Sequence, residues 1–578
     1  MSMQTFVVSW NIVLVMRNPR NRMLAACAIL SMILAANATA QSLSDLENDA
    51  TSTGDIVTYG MGYSLQRFSP LAQINRDTVA NLVPAWSFSL DDDRGQEAQP
   101  VVYDGKLFVV THKNTFAVDA HTGRQLWRHD VKYPKEALRN MCCGIVIRGA
   151  ALYDRKLYRA TLDAQLIAVD IDTGGEVWRT AQADWKGSFS GTGVPIIANG
   201  VLVSGIAGGD QGTRGFLDGF DAQTGEHLWR KYTIPAPDEP GGETWPGETY
   251  KLGGGATWLT GSYDPDLDLV YWGTGNPSPW SAVDRPGDNL YTNSIIAFRP
   301  TTGEWVWHYQ TTPADNYDYD GLNEPILATL TVDGEPRKVL IQVNRNGYFY
   351  VLDRATGELL RANQYVDKLT WAERVDMKTG RPVRSKTSFK NLEYGVEVEV
   401  WPSVLGGKNW APASYSPLTG LVYANSNELG MLYKPIDVPF RRGTSYWKAE
   451  FKFPGLNTEP AAGRLRAIEP LTGKYVWEMA IDPPPNGGTL VTAGDLIFTG
   501  LQTGELIACD AHTGEELWRY QTGSGIIAPP VTYELDNEQY VAVVSGVGGV
   551  IAWNLPYTDL ATVNKGGSMT VFRLHKRP

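Results

Sequence analysis

Asp119-Ala-His-Thr-Gly123-Arg-Gln-Leu-Trp127 and Asp510-Ala-His-Thr-Gly514-Glu-Glu-Leu-Trp518 are two full copies of one phrase, apolar-Asp-x-x-Thr-Gly-x-x-x-Trp, that returns along this 578-residue chain. Further copies end at Trp178, Trp229, Trp307 and Trp477. Asp353-Arg-Ala-Thr-Gly357-Glu-Leu-Leu-Arg361 has lost the Trp, and Asn81-Leu-Val-Pro-Ala-Trp86 keeps it without the turn. Trp127, Trp178 and Trp229 follow one another at even intervals of about fifty residues, and self-similarity at such a period marks a repeat array.

Each copy reads as a hairpin. The apolar run before the Asp, such as Leu166-Ile-Ala-Val169, is a strand. In the turn, Asp bonds its own backbone and Gly supplies positive φ. A second strand follows and ends on the large Trp. Short apolar runs separated by Gly, Asn and Asp recur throughout, with no competing helical period. A four-stranded unit cannot bury both faces alone, so the units must stack around an axis. Seven copies and Trp86 predict an all-β, eight-bladed propeller in which each Trp packs between blades. The ring is expected to close by pairing its ends, Tyr540-Val-Ala-Val-Val544 sharing a blade with residues 58–71.

Length alone would suggest several domains, but the repeat argues for one, spanning residues 41–578. Hydrophobic content of 43%, with 59 Gly and 19 Trp, suits a turn-rich fold punctuated by indoles. A net charge of −12 and the lack of any Lys/Arg-rich run argue against nucleic-acid binding. Residues 1–40 read as a secretory signal: Arg17, Arg20 and Arg22, an apolar run over 23–36 too short to span a bilayer, then Ala38-Thr-Ala40 before Gln41. Leu24-Ala-Ala-Cys27 matches a lipoprotein box, yet no apolar run leads into it. With no second long apolar run, the mature protein is expected in the periplasm without stable membrane insertion.

Four cysteines are present: Cys27 in the signal, Cys509 alone in a strand, and the adjacent pair Cys142 and Cys143. No Cys-x-x-Cys-His occurs, so covalent c-type haem is excluded. The adjacent pair can stay reduced, pair elsewhere, or close a small strained ring whose value is a flat apolar platform. Other segments are dense in unusual side chains: Gly95-Gln-Glu97, Arg148 five residues after Cys143, Gly253-Gly-Gly-Ala-Thr-Trp258, Gly273-Thr-Gly-Asn276, and Asp315-Asn-Tyr-Asp318-Tyr-Asp320-Gly321. None is specific alone. A Gly run before Trp is commonly a strand junction, and Asp-x-Asp is commonly a solvated turn.

In combination these motifs resemble the quinoprotein alcohol dehydrogenases, exported eight-bladed propellers carrying pyrroloquinoline quinone (PQQ). The likeness runs from about Thr58 to the C-terminus. It implies a Cys142–Cys143 disulfide against one face of PQQ and Trp258 against the other. Glu97, Arg148, Thr192 and Arg345 would bond its carboxylates and quinone oxygens, with Asn409 and Trp410 lining the same site. Asn276 is implied as a metal ligand, and Asp318 as catalytic base and ligand. The family's metal-binding Glu falls at Asp210, one methylene shorter. A Ser that touches PQQ falls at Ala207, and a Trp of the pocket falls at Asn486. Asp320 stands where members using light lanthanides have Asp and calcium-dependent members have Ala, so a lanthanide is favoured over calcium.

The resemblance implies oxidation of an alcohol to an aldehyde, with electrons passed to a soluble cytochrome c. An acidic surface suits a basic partner. Nothing marks a subunit interface, and a homodimer is left open. The competing reading is a cofactor-free propeller scaffold of the cell envelope, since the repeat encodes only the ring.

Overall fold

The computed structural model describes residues 40–454, 462–484, 487–549 and 563–575. The signal-like segment and Asn486 therefore lie outside the described residues. Gln41–Pro578 form one compact unit. Among the described residues, eight sheets have four or more strands, and four strands of each pair antiparallel with their neighbours. The unit Ala151–Tyr153, Lys156–Ala160, Gln165–Asp170 and Glu176–Ala181 is representative. Its middle strands are buried except at Lys156, Gln165 and Asp170, and its fourth is half-exposed.

Local chemistry builds the hairpin between the third and fourth strands. Asp170 Oδ1 accepts from the Asp172 and Thr173 amides and from the Thr173 hydroxyl, at 2.8–3.1 Å. Gly174 takes φ +72°. The Trp then stands opposite a small residue of the third strand: Trp127 across from Ala117, Trp178 from Ala168, Trp229 from Gly219, Trp307 from Ala297. The indole N–H of each full copy reaches the next repeat, while that of Trp86 is buried without a partner. Trp127 donates to Ile171 O at 2.9 Å, Trp229 to Pro300 O at 2.9 Å, and Trp518 to Leu82 O at 3.1 Å. Where the Trp is lost, Asn363 Nδ2 donates to Leu471 O at 3.3 Å and packs on Gly473.

The indole lies so close on the turn that a Cβ at Gly174 would come within 2.7 Å of the Trp127 ring. Gly174→Ala is therefore expected to destabilise by about 1–3 kcal/mol, combining backbone strain with overpacking. Gly105→Ala is the control, because Gly105 has φ +67° but open space around it. Equal unfolding midpoints for the two variants would show that the indole contact contributes nothing.

Ring closure differs from the sequence expectation. Strand Glu538–Ser545 does sit in the closing sheet, between Val531–Leu535 and Ser568–Leu574, but the outer strand is Leu82–Ser89, which carries Trp86. Residues 58–71 do not join that sheet; Phe68–Ser69 pairs in parallel with Val491 and Thr492. The reason is local: Met61, Leu65 and Arg67 all have positive φ, which no strand tolerates.

Two excursions interrupt the series and meet in one small sheet: one runs between Leu359–Gln364 and Ser414–Tyr415, the other inside the next sheet, between Val422–Asn427 and Gly463–Ile468. The first holds the hairpin Ala372–Asp376 and Arg381–Arg384 and the strand Val398–Val400; the second holds Met431–Pro435 and Ala449–Lys452, which complete a three-stranded sheet with Val398–Val400. No helix among the described residues is long and apolar enough to cross a membrane.

Candidate active site

In an up-and-down meander, the start of the first strand and the turn between the second and third lie at the same end, opposite the Asp-Thr-Gly turns. Every candidate site residue falls at that end. Glu97, Cys142 to Arg148, Thr192, Trp258, Asp318, Asp320, Asn409 and Trp410 precede first strands; Asp210, Asn276 and Arg345 lie in second-to-third turns. All but Glu97 line a single cavity of about 830 Å³ including its mouth. Glu97 stands behind the wall, paired with Arg148 at 2.9 Å.

Cys142 and Cys143 are bonded to each other. Trp258 also lines the cavity, and the Arg148 guanidinium lies 4.6 Å from the Trp258 ring and 4.9 Å from that of Trp410. Burial lowers the Arg148 pKa, opposed by Glu97, and burial raises that of Glu97, opposed by Arg148. Arg148 Nε is buried without a hydrogen-bond partner. A disulfide, an indole and a guanidinium with an unused donor fit a planar polycarboxylate.

The acidic side of the cavity is centred on Arg345. Its Nη1 donates to Asp320 Oδ2 and its Nη2 to Asp318 Oδ2, both at 2.6 Å. Burial holds the Asp318 carboxyl well above the usual carboxylate range despite Arg345, with Asp320 and Asp210 adding repulsion. Burial pushes Asp320 up to about 6. Asp210 is raised by burial, opposed by hydrogen bonds from Trp280 and Asn276. Two buried carboxylates thus share one guanidinium beside the half-buried Asp210, and a hard cation among the three would relieve the deficit of positive charge. Among the described residues no three His, Cys, Asp or Glu side chains are already gathered as a cage; Asp318 and Asp320 are turned onto Arg345 instead.

The neighbours that fix these groups were not legible beforehand. Asn323 Nδ2 donates to Asn409 O at 2.8 Å, and its Oδ1 accepts from the Arg345 amide at 2.8 Å, so one side chain joins both walls. The only sequence signal was its place just beyond Asp318-Tyr-Asp320. Lys408 and Glu324 form a buried pair at 3.0 Å beside Asn409. At Ala207, where the resemblance implies a Ser, the backbone pairs with Ser190, which lines the same cavity. Cys509 is a buried thiol in the strand Glu505–Asp510, away from these residues.

Comparison with known proteins agrees with this geometry. Residues 57–364 and 359–541 match the PQQ family described as glucose/ethanol/alcohol dehydrogenase, β-propeller domain. Quinoprotein alcohol dehydrogenase PedH of Pseudomonas putida is 40% identical, over 97% of this chain and 98% of that protein. A 1-butanol dehydrogenase (quinone) of Thauera butanivorans is 38% identical, over 96% of this chain and 97% of that protein. Among solved structures, a europium-containing methanol dehydrogenase superposes with TM-score 0.88 at 36% identity, covering 92% of this chain and all of that one. With its cavity and its strand order both accounted for, the chain belongs to the PQQ-dependent alcohol dehydrogenases and has their β-propeller fold.

Proposed function

We propose that this enzyme works outside the cytoplasm after losing residues 1–40, that its eight larger sheets are eight blades, and that it oxidises a small alcohol to the aldehyde with a lanthanide beside PQQ. The observation that carries the reading is the gathering of Cys142–Cys143, Trp258, Arg148, Arg345 and the three carboxylates in one cavity. Glu97, Arg148, Thr192, Arg345, Asn409 and Trp410 would hold PQQ, and Asp210, Asn276, Asp318 and Asp320 the ion. When bound, PQQ supplies the hydride acceptor, and the ion polarises its quinone carbonyl.

The chain supplies position and proton transfer. Asp318 takes the alcohol O–H proton on a carboxylate oxygen. The Arg345 guanidinium, donating to that carboxylate, favours its ionised form. Trp258 and the disulfide confine the reacting plane and keep water from its faces. A small primary alcohol is favoured because relatives named for methanol and 1-butanol are so similar. No c-type haem motif is present, so electrons leave to a separate cytochrome c, and the acidic chain suits a basic one.

The test is purified protein reconstituted with PQQ and either La³⁺ or Ca²⁺, offered a panel of primary alcohols and a basic cytochrome c at low and high salt. Bound quinone absorption and alcohol-dependent cytochrome reduction that weakens with salt are expected. Protein that stays colourless and inert with both ions would leave only the propeller and return the scaffold reading. Reduction insensitive to salt would remove the charge-steered partner.

A further inference from the structure

Asp210 is one methylene shorter than the residue the family places there, and the structure contains a device that compensates. Residues 436–448 leave the three-stranded excursion sheet and return to it, closed at the base by the hydrogen bond from Ile436 N to Lys448 O at 2.9 Å. This strap lies over the turn that carries Asp210. Phe440 packs on Gly212 so closely that a Cβ there would meet its ring at 2.8 Å. Lys448, 6% exposed, anchors the strap between Asp437 and Asp284, and Tyr394 donates to the same Asp284 at 2.6 Å.

One dipeptide of the strap takes hold of Asp210 at both ends. The Tyr446 amide donates to the Asp210 backbone carbonyl at 2.6 Å. The Trp447 ring stacks on Trp280, with centroids 4.7 Å apart and planes 20° apart, and the Trp447 carbonyl accepts from the Ser281 amide at 3.1 Å. Trp280, 1% exposed, then donates its indole N–H to Asp210 Oδ1 at 2.8 Å. Asn276 Nδ2 reaches the same oxygen at 3.1 Å. Oδ1 is thereby fixed on two donors, and Oδ2 is left against Cys142 Sγ at 3.3 Å, on the cavity wall. A free Asp side chain has its rotamers to lose on binding an ion, and here they are already lost.

We infer that Trp447 and Trp280 are positioning residues for ion binding: the strap presses the short Asp210 into ligand reach and presets its carboxylate. The inference rests on the reading of Asp210 as an ion ligand. It concerns ion affinity, so it is separable from turnover.

The experiment is equilibrium dialysis of PQQ-saturated protein against La³⁺ and, separately, Ca²⁺, with bound metal measured directly. Four variants are compared: Asp210→Ala, Trp280→Phe, Trp447→Leu and Trp447→Phe. Asp210→Ala is expected to raise the Kd by about tenfold or more, as for loss of a charged partner. Trp280→Phe keeps an aromatic ring against Trp447 and loses the indole N–H; Trp447→Leu loses the stack. Both are expected to raise the Kd by about tenfold, and Trp447→Phe, which keeps a ring to stack, by less than about threefold. If Asp210→Ala weakens binding while Trp280→Phe and Trp447→Leu bind like the parent, the clamp is overturned and the ligand stands. If Asp210→Ala binds like the parent, the ligand reading itself fails and the clamp with it. Should Trp447→Leu not accumulate as folded protein, Trp280→Phe alone decides.

Discussion

Asp318→Ala is expected to lower kcat by about 10²–10⁴-fold, the usual range for loss of a positioned general base, while the protein still binds PQQ. The structure keeps the rest of the site in place when Asp318 is removed. Asp318 holds Arg345 through Nη2, but the same guanidinium also bonds Asp320 through Nη1 and Val404 O through Nε at 3.0 Å. Removing Asp318 therefore leaves no orphaned cation, and the cofactor wall of Cys142–Cys143, Trp258 and Arg148 is untouched. Burial raises the Asp318 pKa well above the usual carboxylate range in the ion-free chain, which works against its charged form. A neighbouring cation reverses that sign by favouring the charged form, so base function and ion binding are coupled. The measurement is kcat and KM on reconstituted enzyme, with PQQ content read from its absorption. Turnover within about threefold of the parent would take Asp318 out of the base role, because no general base contributes so little.

The coupling between ring and site explains what the sequence could disclose. The repeat was legible because its Asp, Thr, Gly and Trp act within one hairpin and onto the next, as the Asp170 turn and the Trp127 to Ile171 contact show. All of that lies at the end of each sheet away from the cavity. The chemistry sits on the other end, where no two loops share a sequence, so it could be read only through family likeness. That likeness placed Cys142, Arg148, Trp258, Asp318 and Arg345 in one cavity although they span some two hundred positions. It could not place Asn323, Trp280 or the strap at 436–448, whose roles depend on contacts between distant turns. The misjudged closure has the same origin. Residues 58–71 are expected in the closing sheet only because the ring must pair its ends; the positive φ values at Met61, Leu65 and Arg67 exclude them, while Leu82–Ser89, marked by Trp86, fills the place.

The choice of ion turns on Asp320, and here a reversal of preference is expected rather than a simple loss. Asp320 Oδ1 accepts from the Asn276 amide at 2.7 Å, which fixes its carboxylate beside the side chain proposed as an ion ligand. Oδ2 bonds Arg345, so an entering cation competes with one guanidinium for an oxygen that is already oriented. Removing one negative charge takes more from a trivalent ion than from a divalent one. Each product of unit charges is worth about 4 kcal/mol at 4 Å and an effective dielectric of 20, before the larger dehydration cost of the trivalent ion is set against it. Asp320→Ala is accordingly expected to lower La³⁺-supported turnover by about 100-fold or more while Ca²⁺-supported turnover holds or rises. The check is kcat/KM for one alcohol with each ion, parent and variant side by side. If Asp320 served only as a partner of Arg345, its loss would disturb the guanidinium whichever ion is present, and both activities would fall together. An unchanged ratio of La³⁺ to Ca²⁺ activity would therefore remove Asp320 from the ligand set and with it the physical case for a lanthanide.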